Sequence, residues 1–485
     1  MAENSSSSSI LTKYPSASLR ELFTLSLPLI LGLFSASFMG FCDRLFLSHY
    51  SIEAFEGSVS AGYLCLLFQL PIMRIATMSQ VFVGLDYGSK NYQSIGPTVW
   101  QMIWLALFSI LITFPPSQFF APYFFEGSAV SHTANTYFST MMVANFLFPL
   151  GTAISAYFIG QGRTRIIFLT TLLSHGLNVG LDYIFIFGIE GVFPSLGIFG
   201  AALATGISQA VFCVVLFMFF IRKKERTSYG TGIFHFNWNL FWPQLRIGLP
   251  RAIARMFILT AWVSCSRVMT MKGGDYLMVL SVGGTLILLF TFFNDGMLQG
   301  MITIASNLMG AKQYQKIWKL ARSALISILV ASALLSIPYL VFPEWTLSFL
   351  VATPPSPQTL QILKKSCIWL WLFFFCYGFS IIGISLVTAS RDVGFYLISN
   401  IFVWLTSYVP VYIAMNFLNW TPDKLWLIMA LDSLIYGTIF LLRSRKEKWK
   451  EIDPAPESEA LLYHAQESFE NLDSAKSQPV QIRKS

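Results

Sequence analysis

The chain has 485 residues, of which 55% are hydrophobic, 16% aromatic and only 12% charged. Soluble domains carry roughly 25% charged residues, so the composition excludes a soluble enzyme or nucleic-acid-binding module and specifies an all-α membrane protein. The formal net charge of +8 must then be read by where the charges fall, not as a sign of a polyanionic partner.

A bilayer-spanning helix needs about 20 mostly apolar residues. Twelve segments qualify: 22–47, 57–84, 97–122, 136–159, 166–188, 197–221, 244–270, 276–308, 318–342, 366–388, 393–417 and 424–442. A polar segment, 1–21, precedes them. Its Ser-rich start, Met1 to Ser9, lacks the basic region and short apolar core of a cleavable signal, so the first helix is expected to act as its own insertion signal. Lys13, Arg20, Lys90, Arg163, Arg165, the basic cluster Arg222–Arg226 and the run Arg443–Lys450 fall on one side of the membrane, and Lys272, Lys364, Lys365 and Lys424 on the other. Positive residues concentrate in the cytoplasm, which places both termini there and most of the chain in a cell membrane, read as a bacterial inner membrane. The tail, 443–485, reads as basic and then disordered. Cysteines 42, 65, 213, 265, 367 and 376 all lie in spans and show no metal-ligand spacing, so they read as packing residues.

The chain repeats itself. The offset that carries Leu27-Pro28 onto Leu249-Pro250, 222 positions, also carries Gly62 onto Gly284. It carries Leu66-Leu67-Phe68 onto Leu288-Leu289-Phe290, and Gly88-Ser89-Lys90-Asn91-Tyr92-Gln93-Ser94-Ile95 onto Gly310-Ala311-Lys312-Gln313-Tyr314-Gln315-Lys316-Ile317. Six spans per copy is an even number, so both copies face the same way. The expected architecture is two six-helix bundles, 22–221 and 244–442, related by a pseudo-two-fold axis along the membrane normal, with a basic linker at 222–243 and the substrate path between them. Pro28 and Pro250 lie inside helices and are expected to kink or loosen them.

Asp43 ends an apolar run that has no other charge from Leu22 to Cys42, and Asp182 lies in a second run with Asn178 one turn before it. A carboxylate at membrane depth costs a few kcal/mol or more and marks function by default. At 1.5 Å per residue, Asp43 lies ~8 Å, Asp182 ~9 Å and Thr205 ~12 Å from the outer ends of their helices, so three oxygen-bearing side chains share a level. Such oxygens suit a hard cation. His175, Asn178 and Asp182 share one helix face.

Four stretches together carry a family resemblance: Phe38-Met39-Gly40-Phe41-Cys42-Asp43; Gly88-Ser89-Lys90-Asn91-Tyr92 with its repeat at Gly310; Asn178-Val179-Gly180-Leu181-Asp182-Tyr183-Ile184-Phe185-Ile186-Phe187-Gly188; and Gly200-Ala201-Ala202-Leu203-Ala204-Thr205. In order and spacing the chain resembles the multidrug and toxic compound extrusion (MATE) family over residues 15–445. The resemblance implies an antiporter that exports organic solutes against H⁺ or Na⁺. It also implies a cation site at Asp43, Asn178, Asp182 and Thr205, which would be the metal ligands if Na⁺ is the coupling ion.

The chain departs from one branch of that family, which carries acidic residues in helices seven and ten. Helix seven here has Arg251, Arg255 and Arg267, and the repeat places Cys265 opposite Asp43, so the cation site is expected only once. Arg74 in helix two adds to the buried positive charge, and Asp295 is the nearest expected counter-ion, with an Arg255–Asp295 pair read as structural. The competing expectation makes Arg74, Arg251, Arg255 and Asp295 part of a cavity for an anionic or zwitterionic solute. Asp432 reads as structural.

The resulting expectation is a secondary active multidrug efflux transporter, not an enzyme. It is expected to act as a monomer in the lipid bilayer on a small organic solute, with no nucleic acid and no cofactor beyond H⁺ or Na⁺. The alternatives are a lipid-linked oligosaccharide flippase of the wider superfamily and an exporter of an anionic metabolite. No Gly-rich phosphate loop or catalytic triad signature is found, and no repeated selectivity loop suggests a channel.

Overall fold

A computed structural model describes residues 11–128, 130–350 and 355–451. The described residues form helices and no strand. The twelve long helices are α1 (Leu19–Tyr50), α2 (Ile52–Gly88), α3 (Tyr92–Phe119), α4 (Ser131–Gly160), α5 (Thr164–Phe187), α6 (Gly197–Phe220), α7 (Trp238–Lys272), α8 (Gly274–Gly310), α9 (Tyr314–Val341), α10 (Pro357–Ala389), α11 (Val393–Asn416) and α12 (Lys424–Ser444). Ten of them are individually long and apolar enough to cross a membrane, and the bent α8 makes an eleventh. The exception is α5, whose apolar run is interrupted by Ser174, His175, Asn178 and Asp182. The least apolar span is therefore the one that carries the polar constellation.

Several helices start earlier than their apolar windows because side-chain caps extend them. Ser18 Oγ accepts from the Glu21 N–H at the start of α1 (3.2 Å). Asn237 Oδ1 accepts from the Asn239 N–H (2.9 Å), so α7 begins at Trp238 and not at 244. Ser356 Oγ accepts from the Thr359 N–H (3.2 Å), so α10 begins at Pro357 and not at 366. Each such bond satisfies a backbone donor that the helix leaves without a partner.

The internal repeat is visible in the backbone. Lys90 and Lys312 both adopt left-handed conformations (φ 65° and 56°) at the ends of α2 and α8. Behind each, an N–H closes back on the helix, Asn91 to the Asp86 carbonyl (2.9 Å) and Gln313 to the Leu308 carbonyl (2.8 Å). Both turns lead into one-turn 3₁₀ segments, Tyr92–Ser94 and Tyr314–Lys316. The two six-helix bundles follow from this repeat. Pro28 and Pro250 lie inside α1 and α7, which run on through them.

The bundles meet along the half of the molecule nearer the described ends of the chain, through a seam of small residues. A side chain at Gly300 would collide with Ser26 Oγ (2.1 Å), and one at Gly296 with Ile30 (2.4 Å), so α8 lies directly on α1. A side chain at Gly88 would meet the Asn307 carbonyl oxygen (2.1 Å), and one at Gly310 the Leu85 carbonyl oxygen (2.0 Å), so α2 and α8 touch backbone to backbone. Close approach at glycine is how helices associate where lipid removes the usual hydrophobic drive. Met78, Val81 and Leu85 pack there against Met301, Ile304, Ala305 and Leu308.

The connection between the bundles is structured. Trp100 and Trp104 donate from Nε1 to the Thr231 and Phe234 carbonyls (2.9 and 2.8 Å), strapping the connection to α3. A short helix, Lys223–Tyr229, buries Glu225, which accepts from Tyr157 Oη (2.5 Å) and Arg163 (2.9 Å). Glu225→Ala would strand a buried phenol and a guanidinium. It is expected to cost about 2–4 kcal/mol, read as a clear fall in the melting temperature of the purified protein, while a surface change such as Lys224→Ala should leave it unchanged.

The basic stretch after 443 is packed onto the bundle as far as the structure describes it. Trp449 is 1% exposed and packs edge-on against Trp318 (6.2 Å), and Arg443 pairs with Asp392 (2.6 Å). An aromatic side chain overrides the surrounding charge, because burying a Trp ring outweighs leaving its neighbours solvated. The stretch read as disordered, beyond 451, lies outside the described residues.

Candidate ion site and solute cavity

The N-terminal bundle brings Asp43, Asn178, Asp182 and Thr205 together from three helices. The Gly200-Ala201-Ala202 start of α6 allows this. A side chain at Gly200 would strike the Phe185 carbonyl oxygen (2.6 Å), so α6 lies against α5 and Thr205 comes level with Asn178. Asn178 and Asp182 are fully buried, Thr205 is nearly so, and Asp43 is partly exposed. With its amide nitrogen turned inward, Asn178 donates to Asp43 Oδ1 (3.0 Å) and Asp182 Oδ2 (3.2 Å). The other end of that amide lies 3.5 Å from Thr205 Oγ1, whose own proton goes to the Ala201 carbonyl (3.0 Å).

Two carboxylates thus share one amide at membrane depth. Asp182 Oδ1 is buried with no hydrogen-bond partner, although a buried carboxylate oxygen is costly without one. Edge-to-face contacts of Phe46 with Tyr183 (6.1 Å) and Phe187 (6.1 Å), and of Tyr50 with Phe187 (6.4 Å), cover the side towards the α1–α2 turn. The donor set of carboxylates, amide and hydroxyl suits a proton or a hard monovalent cation, and among the described residues no group of three or more His, Cys, Asp and Glu side chains forms a metal cluster. His175 stands apart from the four. Its Nδ1 lies 2.9 Å from Ser35 Oγ, two turns nearer the start of α5.

The C-terminal bundle holds a cavity of about 830 Å³, closed on one side by Tyr63 and Arg74 of α2. Arg251 and Arg255, one turn apart on α7, line it with Asp295 of α8. The expected Arg255–Asp295 ion pair is not formed. Among the described residues no salt bridge takes up Arg74, Arg251 or Arg255. Asp295 accepts from Tyr377 Oη instead (3.0 Å). Lying within reach along the chain's spans does not fix the direction in which each side chain points. Arg267 is exposed and does not join the group. Asp432, read as structural, is a cavity residue, and its Oδ1 has no partner.

Both bundles contribute to a family match. The family model described as MatE covers residues 28–184 and 252–413, one block in each bundle. The chain belongs to the MatE family. Among curated proteins, this MatE protein is 24% identical over 441 residues to the "Probable multidrug resistance protein NorM" of Thermotoga maritima, a match covering 89% of this chain and 93% of that one. It is 21% identical over 443 residues to the "Uncharacterized transporter YisQ" of Bacillus subtilis, covering 90% and 96%. Among solved structures, it shares its fold with a MOP superfamily transporter from Pyrococcus furiosus (TM-score 0.78, 16% identity, 92% and 99% covered). It also matches the outward-facing conformation of a multidrug resistance MATE family transporter (TM-score 0.76, 16% identity, 89% and 96% covered).

The cavity contains residues that reading the sequence passed over. Asn400 is 1% exposed and lines it. The 222-residue offset carries Asn178 onto Asn400, so the repeat held the signal. Tyr396 lies under the Arg251 guanidinium (5.2 Å), and Trp262 and Trp426 pack at 6.0 Å on a further wall. Nothing in their local sequence separates these aromatics from the other rings of a 16% aromatic chain.

Proposed function

We propose that this MatE protein is a secondary active efflux transporter that exchanges an organic solute for H⁺ or Na⁺ by alternating access. The coupling ion is bound at Asp43, Asn178, Asp182 and Thr205 of the N-terminal bundle, and the solute between the bundles. The observation that carries this reading is the convergence of two carboxylates on Asn178 inside spans that are otherwise apolar. Together they place two negative charges in a low-dielectric setting, which one bound cation largely offsets. Asn178 serves both states of such a site. Its nitrogen bridges the carboxylates when the ion is absent, and the same amide turned over would offer a bound cation an oxygen beside theirs.

The positive-inside distribution supports cytoplasmic termini, and the bacterial relatives support a bacterial inner-membrane setting. With that orientation, the glycine seam of α1, α2 and α8 closes the cytoplasmic side, the arrangement of an outward-facing state. Export then requires the seam to open and re-form in each cycle, with the ion moving inward as the solute moves out. Proteoliposomes loaded with a fluorescent organic solute decide the matter. A Na⁺ or H⁺ gradient imposed in turn is expected to drive solute movement with one ion and not the other. Equal movement with both gradients collapsed would refute coupling.

A further inference from the structure

The cavity of the C-terminal bundle has a charge balance unlike that of a site for organic cations. Arg74, Arg251 and Arg255 line it with two carboxylates, Asp295 and Asp432, and among the described residues these five are its charged lining. None of the three guanidiniums has a carboxylate within ion-pair distance among the described residues. Arg251 is engaged by Tyr396 and by the Met78 thioether (Sδ 3.2 Å), neither of them a carboxylate, and Arg255 Nε is buried without a partner. A guanidinium at membrane depth without a counter-ion is expensive, and its planar fork is shaped for a carboxylate, sulfonate or phosphate.

We propose that the cavity binds the exported solute as an organic anion, an acidic group on an aromatic or apolar body. The acidic group is held by Arg255 with Arg74 or Arg251, and the body packs on Trp262 and Tyr377, both of which line the cavity. This rests on the exporter reading above and names its substrate class. The volume of about 830 Å³ falls within the roughly 300–1,000 Å³ of drug-sized sites. Asp295 accepts from Tyr377, and Asp432, whose Oδ1 is buried without a partner, is the carboxylate of the cavity more open to a cation.

The test is equilibrium dialysis of the full chain in lipid nanodiscs, with no ion gradient, against 1-naphthylacetate and 1-naphthylmethylammonium, probes with the same ring and opposite charge. Empty nanodiscs correct for partitioning. The acetate is expected to bind at least about tenfold more tightly, the scale of one charge-assisted hydrogen bond. Arg255→Gln should remove that advantage and leave the ammonium unchanged or tighter. Arg255→Lys, which keeps the charge, should retain part of it. The proposal is overturned if the ammonium binds as well or better in the wild-type protein, a comparison that stands even if Arg255→Gln does not fold. It is also overturned if folded Arg255→Gln binds the acetate as before. Because no gradient is present, failure here leaves ion coupling intact, and failure of coupling in proteoliposomes leaves this result standing.

Discussion

Asp43→Asn is expected to abolish gradient-driven solute export while the protein inserts, folds and purifies as before. The substitution is nearly isosteric and keeps a hydrogen-bonding group opposite the Asn178 amide, which contacts Asp43 Oδ1 at 3.0 Å, so packing around α1 and α5 should hold. It removes one of the two negative charges that make a cation worth binding. A single remaining carboxylate, Asp182, then has less reason to take up an ion and less to lose by staying empty. The site uncouples from the gradient, and removal of a charge at membrane depth should if anything raise stability. The measurement pairs solute flux in proteoliposomes with the melting temperature of the same preparation. Lost flux with an unchanged or higher melting temperature is the expected pair. Sustained gradient-driven flux would show that Asp43 only satisfies a helix end. Asp182→Asn should give the same flux phenotype, again with an unchanged or higher melting temperature, since it neutralises a fully buried charge.

Much of this was legible in the sequence because a bilayer imposes one-dimensional rules. Length and apolarity fix the spans, and counting residues fixes depth. Depth was enough to bring Asp43, Asp182 and Thr205 to one level, since all three project inward from neighbouring helices. The expected pairing of Arg255 with Asp295 failed, because the direction of a side chain around its helix depends on packing that no count of residues contains. His175 shows the same limit on one helix. It shares a face with Asn178 and Asp182, yet its partner is Ser35 on α1. Trp449 was hidden for a different reason. The charges around it read as a basic tail, and only the tertiary fold supplies the place beside Trp318 that the ring fills.

Gly310→Ala is expected to prevent closure of the seam and reduce export to background. One methyl group suffices, because the new Cβ would lie 2.0 Å from the Leu85 carbonyl oxygen, against a normal contact of roughly 3.5 Å. The obstacle is backbone, which cannot rotate aside as a side-chain tip would. Relief requires α2 and α8 to separate by about 1–1.5 Å at their ends. That separation also loosens the packing of Leu85, Met301 and Leu308 behind it. Overpacking of this kind costs about 1–3 kcal/mol, and here the cost falls only on the state in which the seam is closed. The variant should therefore favour the opposite state and not unfold. In a protein with its six native cysteines replaced, Thr303→Cys reports the difference. Thr303 is fully buried at the seam, where its hydroxyl accepts from Gln80 Nε2 (2.9 Å). A membrane-impermeant maleimide added on the side of the termini should label it slowly in the parent and much faster beside Gly310→Ala. Gly62→Ala on α2 is the matched control, since a side chain there meets nothing within 4 Å. It should label slowly, transport normally and gain a few tenths of a kcal/mol from reduced freedom of the unfolded chain. Slow labelling together with normal export by Gly310→Ala would show that the contact of α2 with α8 is not remade during transport.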